Sequence, residues 1–404
     1  MIKSIENGRK EDGNRSIADK IIKRLHDLQK TAQNNHGRWA WELLQNAKDS
    51  VADTNRLVSV KIILSNDKIE FLHNGSHFTE KDIRGLINQI SSKEVEEGEI
   101  SIRTGRFGTG FLTTHLLSKE VIIKGIVETE DDNYFLFNFL LNRNGKTTAQ
   151  LIPNIENAWK EFHDSTEENE IENYDEDEFN TSFTYSLNTP EQQEIAKIGI
   201  DEFLTLIPYV LTFIPEIDQV EIIDQLKEET TSFQNDSKII DGFKKITKIH
   251  NGEAPTLVRL LCATGENVSI AVRTVKKEDG TFEILSIKDI PKLFCDFPLI
   301  GTENFHFPIV VNSFDFNPQT ERDGVWLMGE KDTEVLENKA LLEQALILYQ
   351  ELINDIEKKQ FKNIFNIAKT KTHLQMKTIL MLHGTKILSK SPLGSFSLLN
   401  QLLS

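Results

Sequence analysis

A mixed α/β fold of the α+β kind is predicted by three observations on the 404-residue chain. Amphipathic helical stretches are interleaved with short apolar runs bounded by turn-formers, an order that implies helices layered on a sheet. A second region of similar texture follows an acidic block, and the chain then turns helical. Single cores stop growing near ~250 to 300 residues, so two domains and a tail are expected.

Taken in order, Ile17, Ile21, Ile22, Leu25 and Leu28 recur at helical spacing and predict a helix over 16–34. After Asn34-Asn35-His36-Gly37 a second helix is expected over 38–52. VSVKIILS (58–65) and KIEFLHNG (68–75) read as strands joined by the turn-forming pair Asn66-Asp67. Thr79, with Asp82 three residues on, is a candidate N-cap for a helix to about Gln89. Residues 91–106 are polar and aperiodic, which predicts a loop. A glycine stretch, an apolar helix FLTTHLL and two buried strands, EVIIKGIVE and YFLFNFLLN, follow.

From Glu161 to Glu178 ten of eighteen residues are acidic, the composition of a solvated connector. The expected division is therefore a first domain at 1–155, a linker or insert at 156–182, a second α/β domain at 183–330 and a helical region at 331–404. Within the second domain an Ile- and Leu-rich helix (190–213) precedes the strands VEIID, TLVRLLCAT, VSIAVRTV and FEILSI. The last region holds the long amphipathic helix EVLENKALLEQALILYQELINDIEKK. Its apolar Leu341, Leu342, Ala345, Leu346, Leu348 and Tyr349 need a surface to cover, either a partner or the second domain itself.

Net charge is -17, which disfavours gripping nucleic acid without a local basic patch or a partner subunit. No apolar run approaches the ~20 residues of a membrane span, and no basic-then-apolar leader is visible. A cytoplasmic location is expected. Cys262 and Cys295 lack metal-site spacing and read as small buried apolar residues.

Two stretches carry chemistry. On WAWELLQNAKDS, Glu42, Asn46, Asp49 and Asp53 fall on one helical face, opposite Leu43, Leu44 and Ala47. Such a stripe suits either bulk solvent or a cleft, where Glu42 would be a general base and Asn46 an oxygen ligand for Mg²⁺. In RTGRFGTGF, Gly105, Gly108 and Gly110 would let backbone N–H groups point at an anion, and a helix beginning near Phe111 would add its positive end. Arg103 precedes that stretch and Arg106 lies within it; both read as lid or surface charges, and either could touch phosphate. Neither GxxxxGK[ST] nor GxGxxG with its acidic partner is matched.

The chain resembles the GHKL superfamily, in particular its chaperone-like and sacsin-like members. ELLQNAKDS, FLHNGSHFT and GRFGTGF match three motifs in family order over roughly residues 15–145. The resemblance implies a Bergerat two-layer α/β sandwich, a second domain of ribosomal-S5-like fold, and ATP with Mg²⁺ as ligands. It makes Glu42 the base that activates water, Asn46 the Mg²⁺ ligand and Asp49 a polar residue near the nucleotide. Gly105, Arg106, Phe107, Gly108, Thr109, Gly110 and Phe111 would wrap the phosphates. Residues 91–106 would be the lid, opened by Ser91, Ser92 and Lys93. The chain departs from the family where an aspartate commonly accepts from the adenine amino group. It reads His73-Asn74-Gly75, so the asparagine carbonyl or a neutral imidazole would have to accept, or the three residues form only a turn. In FNPQTERDG, Arg322 resembles the second-domain basic residue that reaches the γ-phosphate; it could equally be a surface arginine paired with Glu321 or Asp323.

Three functions follow from that resemblance: an ATPase resetting a conformational clamp, a nucleotide-gated binding module with little turnover, or a scaffold with a degenerate pocket. Hydrolysis is favoured over kinase activity, since Glu42 stands at the first position and His26 lacks an acceptor's context. Members of this kind occur as chaperone-like clamps, DNA-transaction ATPases and bacterial phage-defence components. The expected partners are a second copy of the chain or a separately encoded effector.

Overall fold

The computed structural model describes residues 2–31, 36–89, 110–129, 133–319, 321–328 and 333–368. Eight α-helices and mixed β-structure are present among them, so the fold is of the α+β class. Two compact units result. Unit 1 comprises Met1–Ile207, Ile214–Asn235 and Thr247–Thr256; unit 2 comprises Pro208–Phe213, Asp236–Ile246 and Leu257–Ser404.

In unit 1, α1 (Ile2–Thr31) begins well before the expected residue 16 and buries Ala18, Ile21, Leu25 and Leu28 at helical spacing. α2 (Arg38–Asp49) is buried at every position except Asn46. β1 (Val58–Leu64) and β2 (Lys68–His73) form the expected antiparallel hairpin, with Val58, Val60, Ile62 and Leu64 turned inward in strict alternation. β3 (Phe78–Thr79) leads into α3 (Glu80–Asn88), whose start is the predicted capping box. Asp82 N–H donates to Thr79 Oγ1 (3.2 Å) and Thr79 N–H to Asp82 Oδ2 (3.0 Å). A short α4 (Gly110–Thr113) and a 3-10 turn at Thr114–Leu116 precede β4 (Glu120–Glu128) and β5 (Tyr134–Asn142).

The acidic block is not a connector. Its first part is the end of α5 (Thr148–Thr166), which buries Leu151, Ile155 and Ala158, and its remainder carries β6 (Glu170–Ile171). The chain then enters β7 (Thr181–Ser186), which inserts between β2 and β4. Phe183 and Tyr185 on β7 are buried, so burial of alternate side chains holds the strand in the sheet despite the polar residues around it. α6 (Pro190–Phe213) places Phe203 in a stack on Trp41 of α2 (4.6 Å). β8 (Ile217–Asp224) pairs in parallel with β1, and β9 (Glu229–Ile240) pairs with β8. The strand order in unit 1 is thus β9-β8-β1-β2-β7-β4-β5-β6, with β3 beside β4. The expected boundary at 156–182 lies inside unit 1, and the segments expected to open the second domain complete the first.

In unit 2, β10 (Phe243–His250) enters through Phe243–Ile246. β11 (Thr256–Thr264), β12 (Ser269–Lys276), β13 (Phe282–Ile284), β14 (Leu293–Cys295), β15 (Phe297–Pro298) and β16 (Val310–Asn312) follow. Their order is β11-β12-β16-β14-β15, with β13 on the side of β12. Phe243, Phe282 and Phe361 stack on one another in a cluster of three. α7 (Thr333–Lys358) buries Leu341, Leu342, Ala345 and Tyr349, and Tyr349 Oη donates to Ile367 O in α8 (Phe365–Ala368) (3.0 Å). Of the two expected uses of this helix face, the structure shows packing within the chain. Cys262 and Cys295 are buried free thiols, as their spacing suggested.

Candidate functional site

α2 supplies the central carboxylate. Burying an ion without partners costs several kcal/mol, so the charges on so buried a helix must be answered locally. Glu42 is 6 % exposed, and Arg38, one turn earlier, donates from Nε to its Oε1 at 3.3 Å. Lys48 Nζ lies 3.8 Å from Asp49 Oδ1, both buried. Of the stripe expected to face solvent or a cleft, Glu42 and Asp49 are internal, Asn46 is partly open, and Asp53, beyond the end of α2, is exposed.

The other oxygen of Glu42 meets the glycine stretch. A Cβ on Gly110 would stand 2.1 Å from Glu42 Oε2, so only glycine lets the chain pass this close to the carboxylate. Ser92, Lys93, Gly105, Arg106, Phe107, Gly108 and Thr109, with Ser91 and Arg103, lie outside the described residues. Phe111, expected among the nucleotide contacts, sends its ring into the core against His115 (5.7 Å) and Phe183 (5.6 Å). Behind α4, Tyr185 Oη donates to Thr114 Oγ1 (2.8 Å), which donates to Phe111 O (2.7 Å). His115 donates from Nδ1 to Ser118 O (3.1 Å), and burial holds its imidazole at about 3. These bonds tether Gly110 and Phe111 to the sheet.

At the end of β2, Gly75 approaches α2 just as closely: a Cβ there would fall 2.0 Å from Ser50 Oγ and 2.8 Å from His73 Nδ1. Gly75 N–H donates to His73 Nδ1 at 3.1 Å. Burial keeps that imidazole at about 3, hence neutral, with its proton on Nε2. The expectation that a neutral imidazole accepts a base amino group meets a physical obstacle, because its acceptor nitrogen is spent on its own loop. Asn74 is likewise engaged: its Oδ1 accepts from Ser59 N–H (2.7 Å) and its backbone oxygen from Arg56 Nη2 (3.0 Å).

Arg143 closes the rear. Its fully buried guanidinium donates from Nη2 to Leu86 O (2.9 Å) and Ile87 O (2.8 Å), the last carbonyls of α3, and burial pushes it down to about 9. Arg322 belongs to unit 2. It sits at φ 52° in the turn closed by the Pro318–Val325 bridge and donates from Nη2 to Cys295 O (3.3 Å). A non-glycine residue in that region carries backbone strain of order 1–3 kcal/mol.

Arg38 was legible in principle, since i,i+4 is ion-pair spacing on a helix. Ser50, Phe183 and Tyr185 were not, because nothing near them in sequence signals their approach. No group of three or more metal-ligating side chains gathers among the described residues. No helix among them is long and apolar enough to cross a membrane. A scan of protein-family models finds no match to this chain, and neither does a search of curated proteins.

Proposed function

We propose that the chain binds ATP with Mg²⁺ and hydrolyses it as a GHKL-type ATPase, the nucleotide gating a clamp or sensor that acts with a partner protein. The observation that carries this is the meeting of Glu42 with Gly110: the one carboxylate that the motifs make a base lies against the last glycine of the stretch that would hold phosphate. The three motifs quoted above support it further. Mg²⁺ keeps several waters and needs few protein ligands, so Asn46 beside Glu42 fits it although no larger cluster of ligating side chains gathers among the described residues. When bound, Mg²⁺ would neutralise charge on the phosphates. Glu42 would take a proton from the attacking water, and Arg38 would hold its carboxylate in place. The proposed setting is cytoplasmic, and a role beside an effector in anti-phage defence is the biological form that the sacsin-like resemblance suggests.

Glu42→Ala separates the possibilities. ATPase function predicts that turnover falls by at least about a hundredfold while ATP affinity stays within a few-fold. Turnover that survives the substitution removes Glu42 from the chemistry. One observation favours a second reading, a gated binding module: Arg38 already occupies Glu42 Oε1, which would keep the base engaged. ATP binding without measurable turnover in the unaltered protein would establish that alternative.

A further inference from the structure

Unit 2 leaves an apolar patch open beside the N-terminal end of α7. Met328 is 86 % exposed, Leu336 55 % and Trp326 45 %, three large side chains within eleven residues of chain. Their setting is fixed by the buried amide of Asn338. Its Nδ2 donates to Trp326 O at 2.9 Å, and Leu336 stands two residues before it on the helix. Single exposed apolar side chains are ordinary, whereas several gathered at one place mark an interaction surface. Exposed carboxylates accompany the patch: Asp323 on the turn, and Glu334 and Glu337 in the first turns of α7. The cations of the same stretches, Arg322 and Lys339, are less exposed.

The complement of such a patch is a segment that is both apolar and basic, and the chain carries one. Of its 46 basic and 63 acidic residues, residues 369–404 hold Lys369, Lys371, Lys377, Lys386 and Lys390 and no aspartate or glutamate. Residues 1–368 are left with 41 against 63, a net charge of -22. Fourteen of the thirty-six residues in 369–404 are Ile, Leu, Met or Phe. The segment also starts close by. It follows α8, where Ile367 O accepts from Tyr349 Oη on α7 (3.0 Å). From Tyr349 back to Leu336 is about 20 Å of helix, which some seven extended residues span. A tether this short gives an effective concentration of order millimolar, so even a small patch can hold the segment. We propose that residues 369–404 dock on the Trp326, Met328 and Leu336 patch of their own chain, apolar side chains against the patch and lysines toward Asp323, Glu334 and Glu337.

The test is photo-crosslinking in the full chain. Cys262 and Cys295 are buried, so in Met328→Cys a benzophenone maleimide labels the new, exposed position. Irradiation should join position 328 to peptides from 369–404 in a product of monomer mass. Leu336→Cys, labelled in the same way, should report the same peptides from the helix side and serves if the first variant does not fold. Adding Trp326→Ser removes an apolar contact and should lower the yield at least about threefold. Links that run only to peptides from 1–368, or no links at all, overturn the proposal. A product of dimer mass that grows with protein concentration also overturns it, because a second copy then holds the patch. So does a yield unmoved by Trp326→Ser, which would mean that the segment passes the label without resting on the patch.

Discussion

At the scale of single residues, Glu42 is gripped from two sides, by the Arg38 guanidinium at Oε1 and by the Gly110 backbone at Oε2. A methyl group on Gly110 has nowhere to go unless the carboxylate moves, and the buried ion pair resists that movement. Gly110→Ala should therefore cost about 1–3 kcal/mol of stability by overpacking, read as a lower urea midpoint. If Glu42 is the base, ATP turnover should fall by about a hundredfold in the same variant, since catalysis tolerates displacements of an ångström poorly. A loss of stability with full turnover would separate the carboxylate from the chemistry. The Glu42–Asn46 spacing was readable because a helix repeats every 3.6 residues. The tautomer of His73 was not, because it depends on where the Gly75 N–H comes to lie after β2 ends.

At the scale of elements, α7 is joined to the turn that carries Arg322 by Asn338 and by Glu337, whose Oε2 accepts from Asn317 Nδ2 (2.7 Å). Asn338 is fully buried; its Oδ1 accepts from Asn317 N–H (2.8 Å), and its Nδ2 donates to Asn317 O (3.0 Å) and Trp326 O (2.9 Å). Both flanks of the turn are thus held by the second turn of the helix. Asn338→Asp keeps the acceptor and loses both donors, leaving two carbonyls without their partner in a buried place. It should destabilise the protein by about 2–4 kcal/mol in urea denaturation, whereas the exposed neighbour Leu336→Ser should change little. Equal, small effects would show that the amide contributes no more than a surface side chain. Elements with strong local periodicity (α2, the β1–β2 hairpin and α7) lie close to where their side-chain patterns place them, whereas α1 extends well before its pattern. α5 and β7 were masked by composition. Of the acidic residues that suggest a connector, Glu161 and Asp164 lie on the end of a helix whose Leu151, Ile155 and Ala158 face inward and the rest follow it, and β7 shows only a short alternation around Phe183 and Tyr185.

At the scale of the whole molecule, proton binding should work against the fold. His73 and His115 are buried as neutral imidazoles at about 3, against an ordinary 6.5. The unfolded chain therefore takes up protons at these two groups as pH falls below about 6.5, and the folded chain does not until about 3. Their contribution is fully present above 6.5 and is lost as pH falls through that window toward 3. The urea midpoint followed by tryptophan fluorescence should drop between pH 7 and pH 5, and His115→Phe should flatten the drop. A midpoint that rises on acidification in the unaltered protein, and is indifferent to the substitution, would contradict the buried neutral state.

By itself the amino-acid sequence determined the α+β class, the helical and hairpin elements near the N-terminus, the capping box at Thr79 and the pairing of a carboxylate with an amide on α2. Each depends on side chains a few residues apart, whose spacing already encodes which face is covered. Tertiary structure alone decided that β7 and β8 complete the first sheet, that Gly110 comes against Glu42, and that His73 Nδ1 is taken by the Gly75 N–H. Those outcomes depend on which distant backbone arrives alongside, and sequence spacing carries no record of that until the strands have paired and the interior has closed.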